Sequence, residues 1–230
     1  MFREITHRKY SAAIWTSAVF AVVGLLDGFI KIPLMHGPLI NFWYFDIARW
    51  LILPSLLMLI VHHRSKIQLR DYGLSADLGI GDVLIVTPLP LFALFAVHFF
   101  TEAFGNIILG YPKPPFTYID TLVPLGPLWI IGTIYFSITA GLWESIFFIG
   151  LPWLWVSQGR AVPKSLVEEF TFISALLFAL GHWENGIPNA LGAFTFQLCA
   201  IWWFFRIKTL WPIIAAHTLI DAYYFWPPSL

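Results

Sequence analysis

The chain has 230 residues, 59% of them apolar and 11% charged, with 13 Lys/Arg against 13 Asp/Glu and a formal net charge of zero. A soluble globular chain carries about 45–50% apolar and about 25% charged residues, so this composition excludes an ordinary soluble domain and calls for several apolar spans of about 20 residues. The balanced charge gives no reason to expect a nucleic-acid partner, and the lone cysteine, Cys199, cannot form an internal disulfide and reads as a packing residue.

Arg3, Arg8 and Lys9 precede an apolar stretch from Ser11 to Ile30. Its length and the lack of a small-x-small cleavage pattern predict an uncleaved first span, with Asp27 at the interface. A second stretch, Phe42 to Val61, carries Asp46 and Arg49 at i,i+3, expected to neutralise each other near the headgroups. His62 to Asp82 is polar and basic, and reads as a loop or short surface helix. The third span is expected over Val83 to Phe100, kinked by Pro88 and Pro90. Residues 101–126 are rich in Gly and Pro and read as an irregular connection that could cover a cavity mouth.

The fourth span, Leu128 to Trp155, holds Glu144 in an apolar setting with no neighbour to pair with. A polar turn over Gln158 to Lys164 leads to a fifth span, Leu166 to His182. The stretch Trp183 to Asn189 then breaks the apolar pattern, a sixth span covers Ala190 to Phe205, and a shorter seventh covers Trp211 to Trp226. Assigning alternate loops to one side places Arg3, Arg8, Lys9, Arg64, Lys66, Arg70, Arg160, Lys164, Arg206 and Lys208 together and leaves Lys31 and Lys113 opposite. By the positive-inside rule this predicts an all-α, polytopic membrane bundle of about seven transmembrane helices, N-terminus cytoplasmic, forming one integral membrane domain over 1–230. Tryptophans and tyrosines near span ends fit interfacial belts.

A carboxylate at membrane depth is costly unless it faces the bundle interior, pairs or takes up a proton, which makes Glu144 the leading functional candidate. His182 on the fifth span, four residues after Phe178, and His217 with Asp221 at i,i+4 on the seventh are the groups expected to meet it. A carboxylate one turn from an imidazole can fix its tautomer. Each group alone is as well explained by a helix-to-helix hydrogen bond; together they offer a base and two imidazoles, a set suited to hydrolysis. Two histidines and a glutamate are also a zinc ligand set, but HExxH spacing is absent, so a divalent metal on Glu144, His182 and His217 stays open.

These residues resemble a family, the CPBP intramembrane proteases, which include CAAX prenyl proteases of the Rce type and Abi-type bacteriocin-processing or self-immunity proteins. Its pattern is EExxxR, then FxxxH, then HxxxN or HxxxD, each in a membrane helix. Phe178 to His182 matches the second motif and His217 to Asp221 the third, with Lys208 to Ala216 similar to the lead-in; the likeness covers about residues 125–225 and, weakly, the loop Leu69 to Leu74. Glu144 aligns with the first glutamate, but Ser145 and Ile149 stand where the family has its second glutamate and its arginine. Losing both together leaves no orphan charge in the membrane.

The resemblance implies an intramembrane endopeptidase, a metalloprotease if a metal takes part, that acts on a membrane-associated, prenylated CAAX-type or other peptide. Glu144 would activate water, His182 position the water or a metal, and His217, steadied by Asp221, stabilise the oxyanion; Phe178 would line the substrate site. Glu184 is a reserve candidate that otherwise reads as a solvated loop residue. The alternatives are a non-catalytic scaffold or binding protein, a transporter using the same groups as a relay, and a lipid- or isoprenoid-acting membrane enzyme. By these span limits Glu144 lies past midway and His182 near the opposite end, too far apart to share a water unless the fifth span begins later than Leu166.

Overall fold

The computed structural model describes residues 2–75, 78–109 and 119–226. Its frame is seven helices: α1 (Phe2–Met35), α2 (Leu39–Ser65), α3 (Pro88–Leu109), α4 (Trp129–Ser157), α5 (Lys164–Leu180), α6 (Ile187–Ile207) and α7 (Trp211–Tyr224). No strand occurs among the described residues. Five of the helices, α1 to α4 and α6, are long and apolar enough to cross a membrane. α5 and α7 are shorter, 17 and 14 residues, and sit within the same bundle, α5 against α6 and α7 against α4 and α3. Trp15, Phe29, Phe92, Phe100 and Ile131 are exposed on the outside, as a bundle surrounded by lipid requires. The chain is an integral, multi-pass membrane protein.

Several limits differ from expectation, each for a physical reason. Proline cannot donate a backbone hydrogen bond, and the chain breaks at Thr87 between a short helix, Ile80–Val86, and α3, which opens on Pro88. α3 then continues past Phe100 to Leu109, because Glu102 faces inward and is partnered. The connection expected over 101–126 is thus helical at its start and again at Ile119–Leu122; residues 110–118 lie outside the described residues. Asp27 is buried in α1 beside Lys31 rather than interfacial, so Lys31 is not a loop charge.

Two helices carry a π-helical turn, α2 at Ala48–Ile52 and α4 at Ile146–Gly150. In each, an i→i−5 bond closes the turn: Leu53 N–H to Ala48 O, and Leu151 N–H to Ile146 O. Each turn ends two residues before a proline, Pro54 and Pro152. Pro152 cannot donate to the carbonyl of Phe148 one turn back, and the Ser174 hydroxyl of α5 donates to that carbonyl instead. Gln197 Nε2 of α6 donates to Ser174 Oγ at 3.1 Å, tying three helices together.

The end of the bundle away from Lys31 is closed by the turn after α2. Gln68 and Asp71 cap a 3₁₀ turn at Leu69–Tyr72, with Gln68 N–H to Asp71 Oδ2 at 2.9 Å. Gly73 O then accepts from Leu210 N–H at 2.7 Å and Thr209 Oγ1 at 3.0 Å, while Trp211 Nε1 donates to Ser75 O at 3.1 Å. The turn after α2 and the turn between α6 and α7 therefore share one end of the molecule.

Candidate active site

Glu144 lies in α4 two residues before the π turn, buried. Gly141, one turn earlier, lets α7 come close: a Cβ there would sit 2.9 Å from the backbone nitrogen of Thr218 and collide with its hydroxyl. This contact sets His217, also buried, beside Glu144, with Nε2 3.4 Å from Glu144 Oε2. Asp221, one helical turn on, approaches the same nitrogen, its Oδ2 at 3.5 Å. Both carboxylates face Nε2, because α7 presents His217 and Asp221 on the face that meets α4.

His182 stands just beyond α5, which ends at Leu180. The carbonyl of Phe178, in the last turn of the helix, accepts Gly181 N–H at 3.1 Å, and His182 Nδ1 lies 2.8 Å from it. A carbonyl only accepts, so Nδ1 carries the hydrogen and Nε2 keeps its lone pair. The Phe178 ring is buried between the histidines, 4.5 Å from the His182 ring and 6.2 Å from the His217 ring, and packs edge-on against Phe148 and parallel to Phe196. It walls the site and supports both imidazoles.

Glu144, His182, His217, Asp221 and Phe178 all line one cavity of about 360 Å³, a volume within the range of ligand pockets. α5 begins at Lys164, earlier than Leu166, so a late start is not what unites Glu144 with His182. Counted from the Gln158 to Pro163 turn, His182 is 18 residues along α5 and its extension, and Glu144 is 13 residues back from Ser157. That leaves an axial offset of about 7 Å, which side chains reaching into a shared cavity take up.

Three further sets of ionisable residues lie in or beside the cavity. Lys31 bridges Asp27 at 3.2 Å and Glu184, all three buried. Glu184 is thus no solvated loop residue: the turn Trp183–Asn185 folds back onto α1, and Trp183 Nε1 donates to Leu25 O at 2.9 Å. Burial pushes the Glu184 carboxyl above its ordinary value, and Lys31 opposes the shift. His98 and Glu102 pair at 3.4 Å on α3, with Tyr224 OH donating to Glu102 at 3.3 Å. Arg49 and Asp46 are both buried, and no ion pair joins them, so the expected headgroup pair does not form. Ionisable residues inside apolar stretches were the signal available for Arg49 and His98.

The two motif departures are built into the packing. Ser145 is buried and donates to Gly141 O at 2.7 Å, and Ile149 is buried in the main apolar core. Among the described residues, no three His, Cys, Asp or Glu side chains are gathered so as to hold a metal ion. His217 directs one nitrogen at two carboxylates rather than joining Glu144 and His182 around a common point. The donor set does not fit a three-ligand metal centre, and the chemistry below uses no metal.

No curated protein and no solved structure matches the chain. Residues 126–223 match the family model described as Type II CAAX prenyl endopeptidase Rce1-like. The match spans the end of the turn before α4 through α7, the part that contributes Glu144, His182, His217 and Asp221. Over residues 126–223 the chain is therefore similar to the Rce1-like CAAX prenyl endopeptidases.

Proposed function

We propose that the chain is an intramembrane endopeptidase that hydrolyses a membrane-associated peptide with a water activated by Glu144. One observation carries the reading: Glu144, His182 and His217, from α4, the α5 end and α7, line a single buried cavity and fall within the Rce1-like match. A water between Glu144 and His182 would give one hydrogen to the Glu144 carboxylate and the other to His182 Nε2, leaving its lone pair for the substrate carbonyl. Glu144 takes the proton as the C–O bond forms. Once Glu144 has taken the proton it competes less for His217 Nε2–H, which then turns to the oxyanion. When the C–N bond breaks, Glu144 returns the proton to the leaving amine, and the products are a new carboxylate and a free amine. Asp221 holds His217 in place, and Phe178 is a wall and support for both histidines.

The apolar lining from Phe136, Phe148, Phe178 and Phe196 suits a peptide carrying a prenyl or other apolar group. The end of the bundle that gathers the turns after α2 and α6 would face the cytoplasm, since those turns hold Arg70, Arg206 and Lys208.

Purified protein in bilayers, offered a peptide set including prenylated C-termini, should cleave at least one member. Glu144→Gln should cut the rate by about 10²–10⁴-fold, and metal content is read on the same samples. A Glu144→Gln protein as active as wild type would overturn the mechanism. Folded samples that cleave nothing would favour a scaffold role.

A further inference from the structure

Among the described residues, the carboxylates that line the cavity are each paired with a lysine or a histidine, whereas Arg49 has no ion pair. Asp27 and Glu184 are committed to Lys31, Glu102 to His98 and Tyr224, and Glu144 and Asp221 to His217. Arg49 is buried, 4% exposed, and lines the cavity, yet its Nε and Nη1 have no hydrogen-bond partner, and no carboxylate among the described residues forms an ion pair with it. A buried guanidinium with unmade hydrogen bonds is costly.

The setting keeps the guanidinium in place rather than neutralising it. Its carbon lies 4.2 Å from the Trp50 ring centre and 4.5 Å from that of Phe20. Rings stack on the flat face of a guanidinium and leave its edges, where all the N–H groups are, for other partners. Gly24 of α1 provides the space: a Cβ there would lie 3.0 Å from Arg49 Nη2. Arg49 also sits in the π turn Ala48–Ile52, as Glu144 sits at the edge of the other π turn, and π turns are frequent at functional sites.

We propose that Arg49 is a carboxylate-binding residue that receives the free C-terminal carboxylate of the peptide substrate. An edge of N–H donors matches a planar carboxylate in bidentate fashion, and the C-terminal carboxylate is the planar anion that a cleavable peptide itself brings. Phe136, Phe148 and Phe178 in the cavity wall suit a short apolar peptide tail. With Arg49 and Glu144 on the same cavity, the scissile bond would lie close to the substrate's C-terminus, so that the product is a short peptide.

The inference rests on the protease reading and is tested separately from it. The probe is an S-farnesylated tetrapeptide with a free C-terminal carboxylate, compared with its C-terminal amide, and binding to wild type and Arg49→Gln is measured in nanodiscs alongside cleavage. Wild type should bind the acid about tenfold or more tightly than the amide, the scale of one charged hydrogen-bonded contact. Arg49→Gln should bind acid and amide equally, with the amide affinity of wild type, which also shows that the variant is folded. Arg49→Lys keeps the charge without the fork and should recover only part of the preference. Equal binding of acid and amide by wild type, or a preference that survives in Arg49→Gln, overturns this inference and leaves the protease reading standing. Binding of neither peptide by wild type overturns both.

Discussion

Gly141 is the residue on which the approach of α7 to α4 depends, because any side chain there meets Thr218. Gly141→Ala should lower stability by about 1–3 kcal/mol, the usual cost of overpacking, and should depress cleavage further by moving His217 away from Glu144. Gly81, where an added Cβ meets open space, is the control: Gly81→Ala should leave both readouts unchanged in thermal unfolding and peptide cleavage. A larger loss at Gly81 than at Gly141 would contradict this. At Ile149, buried in the core, an arginine would find no acidic partner, since Ser145 is not a carboxylate. Ile149→Arg should therefore destabilise by about 3–5 kcal/mol, and adding Ser145→Glu should recover part of the loss. A thermal-unfolding cycle with no coupling between the two would show that they do not act as a pair. Glu144, His182, His217 and Asp221 were legible in the sequence because ionisable groups stand out within apolar runs. Lys31, Asp27 and Glu184 were not, since charges near span ends ordinarily reach water, and only the fold shows the α5–α6 turn covering them.

Among the elements, that turn is held by a charge network rather than by its own sequence. Lys31→Met would leave two buried carboxylates, Asp27 and Glu184, without their cation. The expected loss is about 3–5 kcal/mol, together with faster hydrogen exchange in residues 181–186, where His182 sits. Unchanged exchange there would mean that the turn is fixed by Trp183 alone. The π turns could not be read from apolar periodicity, which carries no mark of one extra residue per turn. Their prolines were visible, but the rescue of the Phe148 carbonyl by Ser174 is a tertiary contact. Ser174→Ala removes that donor and should destabilise by about 1–3 kcal/mol.

At the scale of the molecule, seven helices were legible because each leaves a run of apolar residues between polar or Gly/Pro-rich breaks. Their limits shifted where an inward-facing charge is partnered, as at Glu102 and Lys31, since only unpartnered charges end a span. The basic turns share an end of the bundle through the contacts of Gly73 with Leu210 and Thr209. In a Cys199→Ser background, Arg160→Cys should react with an impermeant maleimide only when the cytoplasmic face is open to it, and His36→Cys only from the other side. The reverse pattern would invert the proposed orientation.

The most direct measurement is binding and cleavage of one peptide by wild type and Glu144→Gln in the same bilayer preparation. Wild type should bind and cleave; Glu144→Gln should bind with similar affinity and cleave about 10²–10⁴-fold more slowly, because the substitution removes the proton acceptor and leaves the cavity's shape. Equal cleavage by the two proteins would contradict the assignment of Glu144 as the base.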